Sequence, residues 1–138
     1  MANLVERQIT LEGERNVVVK WAGVLDTSDF SLVPALAVGD CVYNDPQNKL
    51  VGFRLDMVEW SMSQGLEVVV AWAATIPQLI VPLAGRGRIN MWNYGGYVPD
   101  QTRPGFTGGI NLTSASYPSG TIANFVITLE LIKLYLPR

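Results

Sequence analysis

A chain of 138 residues has the length of one domain, with room for a single core and too little for two. Hydrophobic residues make up 49% and charged residues 16%, so little material is left for an ion-rich solvated surface. The net charge of −2 argues against nucleic acid held by bulk electrostatics, and the absence of histidine removes Ser-His-Asp and Cys-His catalysis and the usual zinc ligand sets.

Glu6, Arg7, Glu12 and Glu14 stand where an export signal would carry its apolar core, so synthesis in the cytoplasm is expected. Strands are predicted around Ile9 and over Asn16–Leu25, followed by the turn Asp26-Thr27-Ser28-Asp29. Cys41, the only cysteine, has no internal disulfide partner and reads as a buried apolar side chain, with a strand expected around Val42. Residues 53–60 alternate Phe53, Leu55 and Met57 against Arg54, Asp56 and Val58, and the switch at Val58-Glu59-Trp60 predicts a bulge. Residues 61–65 read as a short hairpin connection to a strand at 66–73, where Leu66, Val68, Val70 and Trp72 share a face. The charge-free run that follows Glu67 nears membrane-spanning length, but Pro77 and Pro82 interrupt it and two adjacent buried strands explain it better. Further strands are expected around Ile80, Ile89 and Ile110, and the clearest covers residues 122–134, with Phe125, Ile127, Leu129 and Leu131 on one face.

Helical spacing is nearly absent, so the expected fold is all-β: one domain over 1–138, an antiparallel β-sandwich or jelly-roll-like barrel of eight or nine strands. Eight of the thirteen glycines fall in 85–120 together with several aromatic residues, which reads as a long Gly/aromatic-rich loop region. Charge is uneven as well. Residues 1–85 hold ten acidic and five basic side chains and residues 86–138 hold two and five, which is either composition noise or a polarity that would suit head-to-tail contact between copies.

The candidate site is drawn from that second half. Arg86 and Arg88, two apart, would point to one side of an extended segment, and Trp92, Tyr94, Tyr97 and Arg103 lie close behind. Gly85-Arg86-Gly87-Arg88 lacks the Lys-Ser/Thr ending of a phosphate loop. Arg, Trp and Tyr are the residues enriched in protein–protein contact cores, so these six are expected either to form part of an intersubunit surface or to brace a long loop within one subunit. Stacking of single-stranded nucleic acid on the same rings is an alternative that the acidic total disfavours. A second alternative is catalytic. Val24-Leu25-Asp26-Thr27-Ser28-Asp29 resembles the loop that presents the aspartate of retroviral-type aspartic proteases, although the Gly-rich flap hairpin is missing and Asp-Thr-Ser-Asp is also good turn chemistry. No cofactor, metal site or catalytic set is expected.

The blocks from Leu66 to Thr75, from Pro77 to Arg88, Tyr94-Gly95-Gly96 and Pro104-Gly105-Phe106-Thr107-Gly108-Gly109-Ile110-Asn111-Leu112-Thr113 resemble small virion proteins encoded beside the capsid genes of tailed bacteriophages. The similarity runs mainly through residues 66–134. It implies a non-enzymatic structural protein of the virion: a capsid decoration or cement protein on the outer head lattice, or a neck, tail or fibre component. Its implied partners are the major capsid protein and copies of itself, as a dimer or trimer.

Overall fold

Period-two alternation of apolar and polar side chains gives nine strands among the described residues: β1 (Leu4–Glu12), β2 (Asn16–Leu25), β3 (Val33–Leu36), β4 (Asn48–Met62), β5 (Glu67–Trp72), β6 (Gln78–Ala84), β7 (Arg86–Asn90), β8 (Ile110–Ala115) and β9 (Ala123–Pro137). The computed structural model describes residues 4–26, 29, 33–63, 65–91, 95–99, 102, 104–115 and 122–137. Two antiparallel sheets result, one ordered β1-β2-β9-β4-β7 and the other β3-β8-β5-β6. The pairs β2–β9, β3–β8, β4–β7 and β5–β6 are nested, so the chain is one long antiparallel ribbon folded in half and rolled up. That connectivity is a double-sheet jelly roll, with β1 added at one edge. Within the 85–120 region, Arg86–Asn90 and Ile110–Ala115 are strands.

Two local expectations fail. Residues 61–65 do not close a hairpin, because β4 already has β9 on one edge and β7 on the other and offers no edge to β5. The chain instead crosses to the second sheet, held by Met62 N–H to the Gly85 carbonyl at 2.8 Å and Ser63 N–H to the Asn124 carbonyl at 2.9 Å. Nor is there a strand at Val42: residues 41–47 are irregular, and the Val42 amide is bonded to a carboxylate rather than to a ladder. The bulge in β4 lies between Leu55 and Met57, just before the expected switch, and leaves Asp56 buried against Gly96 with a two-pronged bond from Arg54.

The core fills the space between the sheets. Val17, Val19, Trp21, Phe53, Leu55, Val58, Phe125, Ile127, Leu129 and Leu131 from the first face Leu66, Val68, Val70, Trp72, Leu83, Ile110 and Leu112 from the second. Each large side chain removed from water contributes about 1.5–3 kcal/mol, which is what holds two weakly charged sheets together. The Trp21 indole N–H crosses the gap to the Ala35 carbonyl at 3.0 Å. Gly108, at φ +86°, lies against the Val51 carbonyl where a Cβ could not fit, so the 104–109 segment sits tightly on β4.

One end of the sandwich is closed by a buried ammonium. Lys133 continues the inward parity of Phe125, Ile127, Leu129 and Leu131, and its side chain is fully buried. All three Nζ protons are used: on Glu12 Oε2 at 3.0 Å, the Tyr43 carbonyl at 2.6 Å and Asn44 Oδ1 at 2.8 Å. Glu12 Oε2 also accepts the Val42 and Tyr43 amides at 2.8 and 2.7 Å. Tyr135 adds a second tie, its hydroxyl donating to the Glu14 carbonyl and accepting from the Asp45 amide. The β1–β2 turn, the 41–45 segment and the end of β9 are thereby locked together. Burial alone would raise the Glu12 pKa, but the Tyr43 and Val42 amides and the Lys133 ammonium outweigh it and hold the carboxyl below its ordinary value.

Breaking one partner of this pair leaves the other buried and uncompensated, so Lys133→Met should lower the unfolding free energy in urea titrations by about 3–5 kcal/mol. A loss under about 1 kcal/mol would contradict the clasp. Because the folded pKa of Glu12 is depressed, its stabilisation is present above the ordinary carboxylate value and is lost as pH falls through the folded one. The melting temperature of the natural chain should therefore drop further between about pH 6 and about pH 3 than that of Glu12→Gln.

Candidate interaction face

The outward side of the five-stranded sheet is exposed around Arg86 and Arg88, whereas further along β4 Gly96 lies against Arg54 and Asp56 and Met57 is buried; the composition of the exposed part follows from register alone. In β7, Arg86 pairs with Ser61 of β4 and Arg88 with Glu59. Across β4, Ser61 pairs with Val126 and Glu59 with Thr128 of β9. β2 then supplies Ala22 and Lys20, and β1 supplies Glu6 and Gln8. Alternate residues share a face, so these ten side chains form two parallel rows from edge to edge. Leu4, Val24 and Val126 add exposed apolar surface, at 60, 39 and 41% of full exposure.

Depressions mark the surface, among them a small one of about 110 Å³ beside Glu6, Gln8, Lys20 and Ala22 and two larger ones. One of about 440 Å³ is lined by Glu59, Ser61, Arg86, Arg88, Val126 and Thr128. The other, of about 300 Å³, lies among Leu4, Glu6, Ala22, Val24, Asn124 and Val126. Val126 borders both. Among the described residues the ion pairs are Arg7–Asp40, Arg54–Asp56 and Lys133–Glu12, so Arg86 and Arg88 are left with free guanidinium groups. A guanidinium in that state suits a partner's carboxylate, which it can bind through two parallel N–H bonds.

β7 is held in place from the inner side. Gly85, at φ +69°, makes the turn out of β6, a conformation that glycine adopts without strain. The Trp60 indole N–H donates to the Ala84 carbonyl at 2.9 Å, and its ring lies over Gly87, where an added Cβ would come within 2.7 Å. The absence of a side chain at Gly87 is thus what lets Trp60 fasten the strand that carries both arginines.

Arg86 and Arg88 do project from one side, as their spacing predicts. Tyr97 is 41% exposed and forms a two-bond bridge with Leu55, its N–H to the Leu55 carbonyl at 2.8 Å and the return bond at 2.9 Å. That bridge extends the β4 edge next to β7. Trp92, Tyr94 and Arg103 lie outside the described residues. Asp26, half-buried, ends β2, and the Asp29 carboxylate accepts the Ser114 hydroxyl at 2.9 Å. Cys41 is buried as expected, and burial pushes its thiol up to about 11. Among the described residues no cluster of three or more acidic or cysteine side chains is arranged to hold a metal ion. The Lys133–Glu12 clasp was not anticipated, although the inward parity of Lys133 in β9 was a readable signal. Comparison of the chain with protein-family models, with curated proteins and with solved structures found no match.

Gly87→Val should displace the indole and loosen β7, quenching or shifting Trp60 fluorescence and lowering stability by about 1–3 kcal/mol. An unchanged melting temperature together with an unchanged emission spectrum would show that Trp60 does not fasten this strand.

Proposed function

We propose that this chain is a structural subunit of a virus particle, a decoration or cement protein that adds to the outer surface of the head shell and stabilises it by protein–protein contact. The observation that carries the reading is the exposed part of the outer sheet face, a surface with exposed aliphatic side chains and two free guanidinium groups. Such a surface is suited to binding another protein, since preordered strands lose little entropy on docking. Jelly rolls occur in capsid proteins, lectins and cupins alike, so the fold alone does not choose among them. The sequence blocks within residues 66–134 supply the choice of a virion component. The partners are the major capsid protein and further copies of the chain. Neck, tail and fibre positions use contacts of the same kind.

The protein should be found by mass spectrometry in washed virions, in a copy number that follows the symmetry of the shell. Arg86→Ala combined with Arg88→Ala should release it from particles and lower their heat resistance, while the isolated variant still folds with the β-sheet circular dichroism of the natural chain. Absence from virions, or full retention of the double variant, would overturn the reading.

A further inference from the structure

β9 is the third of five strands in its sheet, and the outer face is self-complementary about it. We propose that two copies of this chain stack outer face to outer face, with a two-fold axis lying in the interface along β9. The inference rests on the structural-subunit reading above and names one of its partners.

A rotation about an axis parallel to β9 turns the second copy over and exchanges left with right. β7 then lies over the partner's β1, β4 over its β2, and β9 over itself. The rows defined by register meet accordingly. Arg86 falls opposite Glu6 of the partner subunit, Glu59 opposite the partner's Lys20, and Ser61 opposite the partner's Ala22. Arg88 meets the partner's Gln8, a hydrogen-bonding amide. Val126 and Thr128, on the axis, meet their own copies. Every off-axis charge in these rows therefore faces an opposite charge or a neutral polar group, and each contact occurs twice, as an isologous interface requires. Like charges would have met had Lys20 and Glu59 carried the same sign.

The size is adequate. Strands about 4.8 Å apart, with same-face residues about 6.8 Å apart, give the two rows a footprint of roughly 330 Å², and the flanking rows through Val24 and Asn124 and through Val18 and Glu130 bring it to roughly 600 Å², the order of the ~800 Å² per partner buried in stable complexes. Stacked sheets keep their strands within about 30° of each other, which preserves the contacts near the axis. The apolar surface at Leu4, Val24 and Val126 lies in the same face. One like-charged meeting remains: Glu130, one step beyond Thr128 on the outward side of β9, faces its own copy.

Analytical ultracentrifugation of the full chain tests the arrangement, with the melting temperature of each variant confirming that it folds. The natural chain should dimerise at micromolar concentration. Glu59→Lys and Lys20→Glu should each weaken the dimer at least about tenfold, the double exchange should recover affinity to within about threefold, and Glu130→Gln should tighten it. A natural chain that stays monomeric to about 0.1 mM overturns the proposal, as does a dimer whose affinity the single exchanges leave unchanged or the double exchange fails to restore. A monomer that still binds purified particles would remove the two-fold and leave the shell-subunit reading intact. A dimer rescued by the double exchange but absent from particles would support the two-fold and remove the shell reading.

Discussion

Everything in this molecule depends on the pairing of β9 along both of its edges. It is bonded to β2 over ten successive positions on one side and to β4 from Asn48 to Met62 on the other. Neither neighbour could hold the five-stranded sheet alone, since β1 and β7 are each attached through only one of them. Its inward side chains are the middle of the core, its outward ones the middle of the exposed face. Near its end, Lys133 anchors the loops that close the sandwich.

The polar groups divide into two populations with different consequences. At the clasp, charges are buried and hydrogen-bonded within the chain, and at Arg54–Asp56 a buried carboxylate is held by two bonds from a half-buried guanidinium. Such groups define where loops and bulges sit, because any other arrangement would strand a charge away from water. On the outer face, Arg86, Arg88, Lys20 and Glu59 sit in a strict register but in no ion pair among the described residues. Charges fixed in position and left free are cheap to desolvate against an opposite charge and costly against a like one, so they discriminate between partners more than they bind them. The same contrast holds at the sheet edges. β3 and β6 carry Pro34 and Pro82, which lack an amide to donate, whereas β1 and β7 carry no proline.

Alternation made much of the fold legible. Asn16–Leu25 matches to the residue, and the strands anticipated at 66–73 and 122–134 appear as Glu67–Trp72 and Ala123–Pro137, because one face of each is buried and the period of two is strict. The shared side of Arg86 and Arg88 follows from the same period. What alternation does not encode is which strand stands beside which. Residues 53–60 and 66–73 are both apolar on one face, and a five-residue link between them looks like a hairpin; only the long-range claims of β7 and β9 on β4 rule it out. Val42 has strand-forming character, yet its amide goes to Glu12, thirty residues earlier in the chain. Glu12 and Lys133 are 121 residues apart, a distance over which no local pattern reports a contact.

The nested pairing also dictates an order of events during synthesis. β5 and β6 lie next to each other in the chain and can close as soon as both leave the ribosome, whereas β2 waits for β9, the last of the nine strands to emerge. Until then the apolar faces of β2 and β4 have no ladder between them and stay open to passing chains. A chain in which β2 and β4 precede β9 thus passes through a half-built sandwich, completed only when β9 is inserted between the other two.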